Sequence, residues 1–197
     1  MKSQSVNAAL LLAGLTQAQV KWNVDASHSK LGFSVTHLMV SETEGKFKIY
    51  QGSVESKSEN DFTDSKIEFS ADVASINTED ENRDGHLKSA DFFDATKYPK
   101  ITFKSISMKL KPKSKTAYTL TGDLTMHGVT KKITLLAIAA TKPVKDPYGN
   151  IKYGFKVTGL INRKDFGLTW NIAIESGGLV VSEDVKLDLN IELIKSK

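Results

Sequence analysis

The sequence predicts an all-β fold in which eight or nine antiparallel strands form a barrel or a sandwich with an apolar interior. Apolar and polar residues alternate along most of the chain after residue 20, as they do in strands that bury one face. Turn signals separate the candidate strands, which favours hairpins and antiparallel pairing. The apolar phase changes at Ser105, which predicts a β-bulge that bends the sheet, as closure into a barrel requires.

The strands differ in how clearly they alternate. The clearest stretches are 31–39, 67–73, 118–126, 151–161 and 185–193. Weaker stretches lie near 20–25, 45–56, 99–111 and 130–142. A strand of about ten residues spans roughly 30 Å, so such strands would make a tall barrel with a large interior. Residues 162–170 lack alternation and predict a loop with one helical turn.

A capping box predicts one short helix between strands. Thr78 fits the N-cap and Glu81 the N3 position, so a helix is expected near residues 79–93. Arg83 and Leu87 are four residues apart and therefore share one face of this helix. We interpret the segment as a lid over one end of the strands.

Composition excludes several functional classes. The 197 residues suit a single domain, and 40% hydrophobic with 25% charged residues is ordinary for a globular protein. The 27 basic and 23 acidic residues give a net charge of +4 and are interleaved, so no basic stripe indicates a nucleic acid partner. The absence of cysteine excludes disulfides, thiol nucleophiles and cysteine-based metal sites.

The first 18 residues resemble a signal peptide. Lys2 precedes an apolar run at residues 6–15, and Thr16 and Ala18 are the small residues expected before a cleavage site. The run is too short for a membrane-spanning helix, which needs about 20 residues. The alternative is an N-terminal helix that docks on the fold. We expect residues 1–18 to be removed and residues 19–197 to form the exported domain.

The polar faces of the strands decide which side of the sheet meets water. An outer-membrane barrel would place these faces in its lumen and the apolar faces in lipid. The charged side chains, such as Lys186, Asp188 and Glu192, instead favour a water-exposed outer face and an apolar interior. A barrel of about eight strands has room either for packed side chains or for one small ligand, and alternation alone does not separate the two.

Titratable residues suggest chemistry without matching an established catalytic pattern. Arg83 and Asp84 either act with His86 in acid–base chemistry or neutralise each other and tie the helix to the rim. No metal site is predicted, because metal-binding spacing such as HxH or HExxH is missing among the histidines, His28, His37, His86 and His127.

The other charged candidates are an arginine and two aspartates. Arg83 and Arg163 stand out in a chain that otherwise uses lysine, so both are expected to be buried with specific partners. Asp94 and Asp165 are expected to pair with arginine or to cap backbone amides. No hydrolase elbow of the form GxSxG occurs.

Motifs in order along one domain resemble the YceI-like family of secreted, polyisoprenoid-binding bacterial proteins. The resemblance covers about residues 22–194. It is carried by FSVTH at 33–37, GKF at 45–47, Gly52, RDGHL at 83–87, FFD at 92–94, YPKITFKS at 98–105, LTGDLT at 120–125, GVT at 128–130, RKDFG at 163–167, WN at 170–171, GG at 177–178 and VSEDV at 181–185. Lys164 departs from the small polar residue expected between the arginine and the aspartate.

The resemblance implies a lipocalin-like, eight-stranded barrel that holds a long isoprenoid or a similar amphiphile, in the periplasm and without established catalytic residues or a cofactor. A polyprenyl quinone, a polyprenyl phosphate and a fatty-acid-like chain all fit. The expected pocket positions are Phe33, Val35, His37, Phe47, Ile49, Phe69, Leu87, Phe92, Phe93, Phe103, Leu120, Leu124, Phe155, Phe166 and Trp170. The positions expected at the polar rim, for the head group or for fastening the lid, are Arg83, Asp84, Asp94, Arg163 and Asp165.

Three functions follow as hypotheses. The leading one is an exported lipid carrier with transient membrane contact, for which a homodimer is also compatible. The second is an enzyme that acts on a bound lipid or quinone, with His37, Arg83, Asp84 or Asp165 as acid–base groups. The third is a filled barrel with a structural or stress-response role.

Overall fold

The computed structural model describes residues 19–173 and 179–197, so the expected signal peptide at 1–18 and the glycine pair at 177–178 lie outside the described residues. The longer strands follow the predicted alternation. The strands are β1 Val20–Val24, β2 Lys30–His37, β3 Ser41–Phe47, β4 Tyr50–Ser56, β5 Lys66–Asp72, β6 Ile76–Asn77, β7 Lys100–Leu110, β8 Ala117–Met126, β9 Val129–Ala139, β10 Val144–Lys145, β11 Ile151–Asn162 and β12 Val181–Lys195. The helix α1 spans Glu81–Lys88, and 3₁₀ turns span Val73–Ser75 and Arg163–Phe166.

Eight antiparallel strand paths close into a barrel within the described residues, which confirms the predicted fold class. Three of the paths are bent and consist of two strands each: β1 with β2, β3 with β4, and β5 with β6. Each path pairs with its neighbours along the chain. The barrel closes where β12 pairs with β11 over eleven residue pairs and with β1 and β2 on its other side. The fold is therefore an up-and-down meander.

The predicted bulge in β7 is confirmed. The register between β7 and β8 shifts between Ser105 and Ser107, so that Ile106 is the extra residue. Ile106 is exposed whereas Met108 is buried in the core. The bulge thus returns the apolar phase of β7 to the barrel interior after the bend.

Two predicted strands are shorter than expected. The stretch 31–39 ends at His37, because Leu38 and Met39 adopt φ angles of 51° and 59° and turn the chain into β3. Met39 is therefore exposed at the turn and does not continue the inner face of β2. The stretch 45–56 divides at a bend before Tyr50, where the chain passes from a pairing with β2 to a pairing with β1.

The predicted capping box is wrong, and the helix is shorter than residues 79–93. Asp80 is the N-cap, and its carboxylate accepts a hydrogen bond from the backbone N–H of Arg83 at 2.9 Å. Glu79 has a φ of 65°, and this left-handed turn separates Thr78 from the helix. Helix α1 ends at Lys88, so the segment with Phe92 and Phe93 follows it as turns. No helix among the described residues is long and apolar enough to cross a membrane.

One end of the barrel is filled by an aromatic cluster, which we call the floor. Phe62, from the loop between β4 and β5, packs against Tyr153 in a tilted arrangement and against Phe155 edge-on, with ring centroids 4.8 Å apart in each pair. Trp22 lies 5.7 Å from Phe62 and donates its indole N–H to Ser56 Oγ at 2.9 Å. The floor seals the barrel end opposite α1 with large apolar surfaces, and the indole N–H of Trp22 has its hydrogen-bond partner.

An ion-pair cluster fastens the barrel seam near the floor. Lys152 of β11 places its Nζ 2.5 Å from Asp25 Oδ2 and 2.8 Å from Glu192 Oε1 of β12. The hydrogen bond from Lys152, followed by that from Ser27, lowers the carboxyl pKa of Asp25. The hydrogen bonds to Asp25 and Glu192 raise the pKa of Lys152. The cluster therefore links the bend between β1 and β2 to both closing strands.

Gly122→Ala is expected to destabilise the barrel by about 1–3 kcal/mol, because overpacking costs energy of this order. A Cβ at Gly122 would lie 2.3 Å from Phe103 Cζ and 2.6 Å from the carbonyl oxygen of Lys104. Gly85→Ala is the matched control, since its Cβ would meet nothing within 4 Å on α1. This control should stabilise the protein by about 0.5–1 kcal/mol. Urea denaturation measures both, and equal effects would contradict the packing described for Phe103.

Asp25→Asn is expected to lower the free energy of unfolding at neutral pH. A folded-state pKa below the unfolded value of about 3.9 means that Asp25 stabilises the fold above that value, and that this contribution is lost as the pH falls through the folded-state pKa. The difference between wild type and variant should therefore shrink on acidification, as urea denaturation at several pH values would show. Asp123→Asn, at an exposed carboxylate with no ion pair among the described residues, is the control. A pH-independent difference would contradict the assignment.

Candidate functional site

A cavity of about 410 Å³ runs along the barrel interior between the floor and α1. Its volume falls within the range of about 300–1,000 Å³ that is usual for small-molecule sites. At the floor it is lined by Phe62 and Met108, and at the helix end by Arg83 and Trp170. Apolar side chains of the strands form nearly all of the wall between these ends. The interior is therefore not filled by side chains.

Most of the predicted apolar positions line this cavity. They are Phe33, Val35, His37, Phe47, Phe69, Leu87, Phe92, Phe93, Phe103, Leu120, Leu124, Phe155 and Trp170. Ile49 does not, because it sits at the bend before β4 with its side chain 60% exposed. Phe166 does not line it either, because this residue is buried in a cluster with Leu124 and Leu168. Ligand contact by the lining residues stays a prediction.

Helix α1 and the residues that follow it cover one end of the cavity. Leu87 and Phe93 pack with the core cluster around Phe47. Phe92 is buried against Trp170, with ring centroids 5.0 Å apart, and the His86 ring lies about equally close to both. These five aromatic and apolar groups form a lid, and its closure depends on side-chain packing from two separate segments.

Thr78 binds both Arg83 and Asp84. These two residues do not pair with each other, contrary to one of the two interpretations of the sequence. The Asp84 carboxylate is buried and accepts hydrogen bonds from Thr78 N at 2.7 Å and Thr78 Oγ1 at 2.6 Å. Arg83 donates from Nε to Thr78 Oγ1 and from Nη2 to the Thr78 carbonyl, both at 2.8 Å. Arg83 is exposed as a residue, contrary to the expectation of burial, although it lines the cavity. The network fastens the start of α1 to the end of β6.

Arg163 is buried at the helix end of the barrel and has specific partners, as predicted. Its Nε donates to the Ser182 carbonyl at 2.9 Å, and its Nη1 donates to the carbonyls of Leu168 at 2.6 Å and Trp170 at 2.8 Å. Burial lowers the pKa of Arg163, and the negative charge of Glu183 opposes this effect. The guanidinium nevertheless stays charged at neutral pH. It holds the segment after β11 against β12.

The structure does not gather the acid–base candidates into one site. His37 lines the cavity, whereas the Asp84 carboxylate is engaged by Thr78 and does not line it. Asp165 is exposed outside the cavity lining. Asp94 lies in the turn after the lid and accepts a weak hydrogen bond from Lys97 N at 3.4 Å, which fits the predicted amide-capping role. Arg83, Arg163, His37 and His86 are thus the polar candidates from the sequence that reach the cavity.

One group of potential metal ligands occurs within residues 19–173 and 179–197. Asp25, His28 and Glu192 place ligand atoms within 4.8 Å of one another near the floor. The ammonium group of Lys152 lies between the two carboxylates at hydrogen-bonding distance from both. This cation supplies the positive charge that the cluster requires, so the group acts as a seam contact.

Sequence reasoning missed several residues of the site. Phe62 stands alone in the polar loop 57–65, and a single large aromatic residue in such a loop is a signal of burial that was available. Thr78 was assigned to the helix cap, although it lines the cavity and organises the lid fastening. Val180 and Val181 also line the cavity, beside the turn between β2 and β3. Only the folded pairing of β12 with β2 brings them there.

Comparison with known proteins supports the resemblance seen in the motifs. Residues 22–193 match the YceI-like domain family. UPF0312 protein SA2479 of Staphylococcus aureus N315 is 39% identical over 169 residues, which cover 85% of this chain and 94% of that protein. UPF0312 protein SAB2563 of a bovine Staphylococcus aureus strain is 38% identical over the same shares of both chains.

Solved structures share the barrel. The YCEI protein of Campylobacter jejuni has 32% identity and a TM-score of 0.69, over 88% of this chain and 96% of that one. A polyisoprenoid binding domain from Saccharophagus degradans has 17% identity and a TM-score of 0.62, over 89% and 98%. Burkholderia cenocepacia BcnA has 23% identity and a TM-score of 0.71, over 86% and 98%. The last two show the fold alone. With the family match over nearly the whole barrel, these findings establish that the chain belongs to the YceI-like family.

Proposed function

We propose that this protein is an exported carrier that holds one long-chain amphiphile, of isoprenoid or fatty-acid type, in the barrel interior. The observation that carries the proposal is the apolar cavity of about 410 Å³, enclosed by strands, floor and lid. The structural likeness to a polyisoprenoid binding domain and the family match give further support. The carrier function accounts for an unfilled interior, whereas a purely structural barrel would be more stable if its interior were filled.

The energetics favour exchange rather than permanent capture. Burying a methylene group contributes about 0.8 kcal/mol, so ten such groups contribute about 8 kcal/mol relative to water. A bilayer interior offers the same chain a similarly apolar environment. The barrel therefore shields the chain during passage through water and releases it to a membrane at little cost, as a carrier must.

The turn between β2 and β3 is the surface that we assign to transient membrane contact. Met39 and Val40 are 63% and 83% exposed, and the exposed Leu38 and Ile172 lie on adjacent segments. His37, directly before the turn, lines the cavity. Leu38 and Met39 adopt left-handed backbone conformations that favour Asn and Gly. Apolar residues in these costly positions give the turn an apolar surface at the expense of its stability, which fits a contact with a membrane.

Export belongs to the proposal and rests on the pattern of residues 1–18. The intact mass of the protein from the periplasm of its native host should correspond to a chain that begins at Gln19. A chain retaining residues 1–18 in the cytoplasm would refute export and leave lipid binding untouched. The homodimer stays a prediction for sedimentation analysis.

Val157→Trp is expected to reduce binding of a fluorescent fatty acid, cis-parinaric acid, by about tenfold or more, which corresponds to about 1.4 kcal/mol. Val157 lines the cavity, and an indole there would occupy the space of the chain. Thr158→Trp is the matched control, because this adjacent side chain is not part of the lining. Fluorescence titration measures both variants after circular dichroism confirms folding.

The same proposal predicts that protein purified from its native host carries a lipid that organic extraction and mass spectrometry detect. Unchanged binding by the Val157→Trp variant would remove the cavity as the site. A lipid-free native protein that takes up neither cis-parinaric acid nor a polyprenyl phosphate would remove the carrier function itself.

Replacing Leu38 by Asn together with Met39 by Gly is expected to raise the free energy of unfolding by about 1 kcal/mol, because both positions have left-handed φ angles. The same change should slow transfer of a fluorescent fatty acid from phosphatidylglycerol vesicles, since the apolar surface is lost. Ile49→Asn, at another exposed apolar side chain, is the control. Faster or equal transfer by the double variant would contradict the assigned contact surface.

A further inference from the structure

Arg163 has donor capacity that the described residues do not use. The residue is 3% exposed and lines the cavity. Three of the five guanidinium N–H groups bind carbonyls, one from Nε and two from Nη1. Among the described residues Nη2 is buried and has no hydrogen-bond partner. A buried charged donor without an acceptor is costly, so an acceptor is expected from outside the chain.

The charge of Arg163 is also not paired with a carboxylate in the part of the chain that the structure describes. Glu183 is the acidic residue whose charge acts on it, but the Glu183 carboxylate is exposed and pairs with Lys164 at 2.5 Å. Glu68 contributes to the cavity lining, and its carboxylate pairs with Lys104 at 3.2 Å. The carbonyl partners of Arg163 are neutral. Among residues 19–173 and 179–197, the cavity therefore has a cation at one end to which no anion is bound.

Other polar groups that line the helix end of the cavity are also hydrogen-bond donors. Arg83, His37 and His86 also line this part of the cavity, and each can donate a hydrogen bond, whereas the Thr78 hydroxyl already donates to Asp84. The opposite end is the aromatic floor with Phe62. The cavity is thus polarised along its length, with donors and positive charge below the lid and apolar rings at the floor.

We propose that Arg163 binds the anionic oxygen head group of the amphiphile, a carboxylate or a phosphate monoester, through its two Nη2–H groups. The head group then lies beneath the lid, and the chain extends towards Phe62 at the floor. This inference rests on the proposed carrier function and specifies its ligand class. It also supplies the selectivity that an apolar chain lacks, because charge-assisted hydrogen bonds distinguish head groups of equal chain length.

A series of ligands with one chain and different head groups tests the proposal on the unaltered protein. Hexadecanoate and hexadecyl phosphate should each displace cis-parinaric acid about tenfold more effectively than hexadecanol. Hexadecyltrimethylammonium should be weaker than the alcohol. Equal affinities, or a preference for the cation, would overturn the head-group assignment and leave the carrier function standing. Failure of every ligand to bind would instead refute the carrier function.

Arg163→Gln links the preference to this residue. The variant should lose about tenfold in affinity for hexadecanoate while its affinity for hexadecanol stays unchanged. Arg83→Gln is the comparison, because Arg83 lines the same end but directs Nε and Nη2 to Thr78. A parallel loss for acid and alcohol in the Arg163 variant would show that Arg163 only supports the loop, and would overturn the proposal.

The two tryptophans report the orientation of the chain even if Arg163→Gln does not fold. Trp22 belongs to the floor and Trp170 to the lid, and the chain contains no other tryptophan. Hexadecanoate brominated at its terminal methyl group should quench Trp22 in a Trp170→Phe variant. It should leave Trp170 bright in a Trp22→Phe variant. The reverse pattern would place the head group at the floor and overturn the proposal.

Discussion

Closure of the sheet is the constraint on which the structure depends. The strand β12 pairs with β11 along one side and with β1 and β2 along the other, so no barrel strand is left with an open edge along this seam. Closure fixes the direction of every inward side chain and encloses a volume that apolar residues must face. The cluster of Lys152 with Asp25 and Glu192 lies across the same seam. The strand pairing that closes the barrel therefore also creates the cavity.

The two ends of the barrel are covered by different kinds of contact. Phe62 and its aromatic neighbours fill one end with packed rings that belong to the buried core. The lid end combines side-chain packing with hydrogen bonds from a few polar residues, and Thr78 and Arg163 each bind several groups. Polar networks hold one defined arrangement but can exchange partners, whereas packed rings cannot. Ligand exchange is therefore expected at the lid and not at the floor.

The alternation of apolar residues predicted antiparallel strands with one buried face, the family resemblance predicted the barrel, and the phase change at Ser105 predicted the bulge in β7. Sequence reasoning failed where local and tertiary signals compete. Thr78 matches a capping box, yet the left-handed Glu79 detaches it from the helix and Asp80 caps instead. Ile49 keeps the apolar pattern but falls at a bend that only sheet pairing sets. The meeting of Thr78 with Asp84 required the folded chain.

The meander also sets an order of assembly. Neighbouring strand paths from β1 to β11 are consecutive along the chain, so their hairpins form from local contacts. Residues Val181–Lys195 alone join the two sides, and they follow all the other strands in the chain order. Until they arrive, the sheet is an open trough with two unpaired margins. A chaperone that masks those margins would protect the nascent chain without needing to recognise the finished barrel.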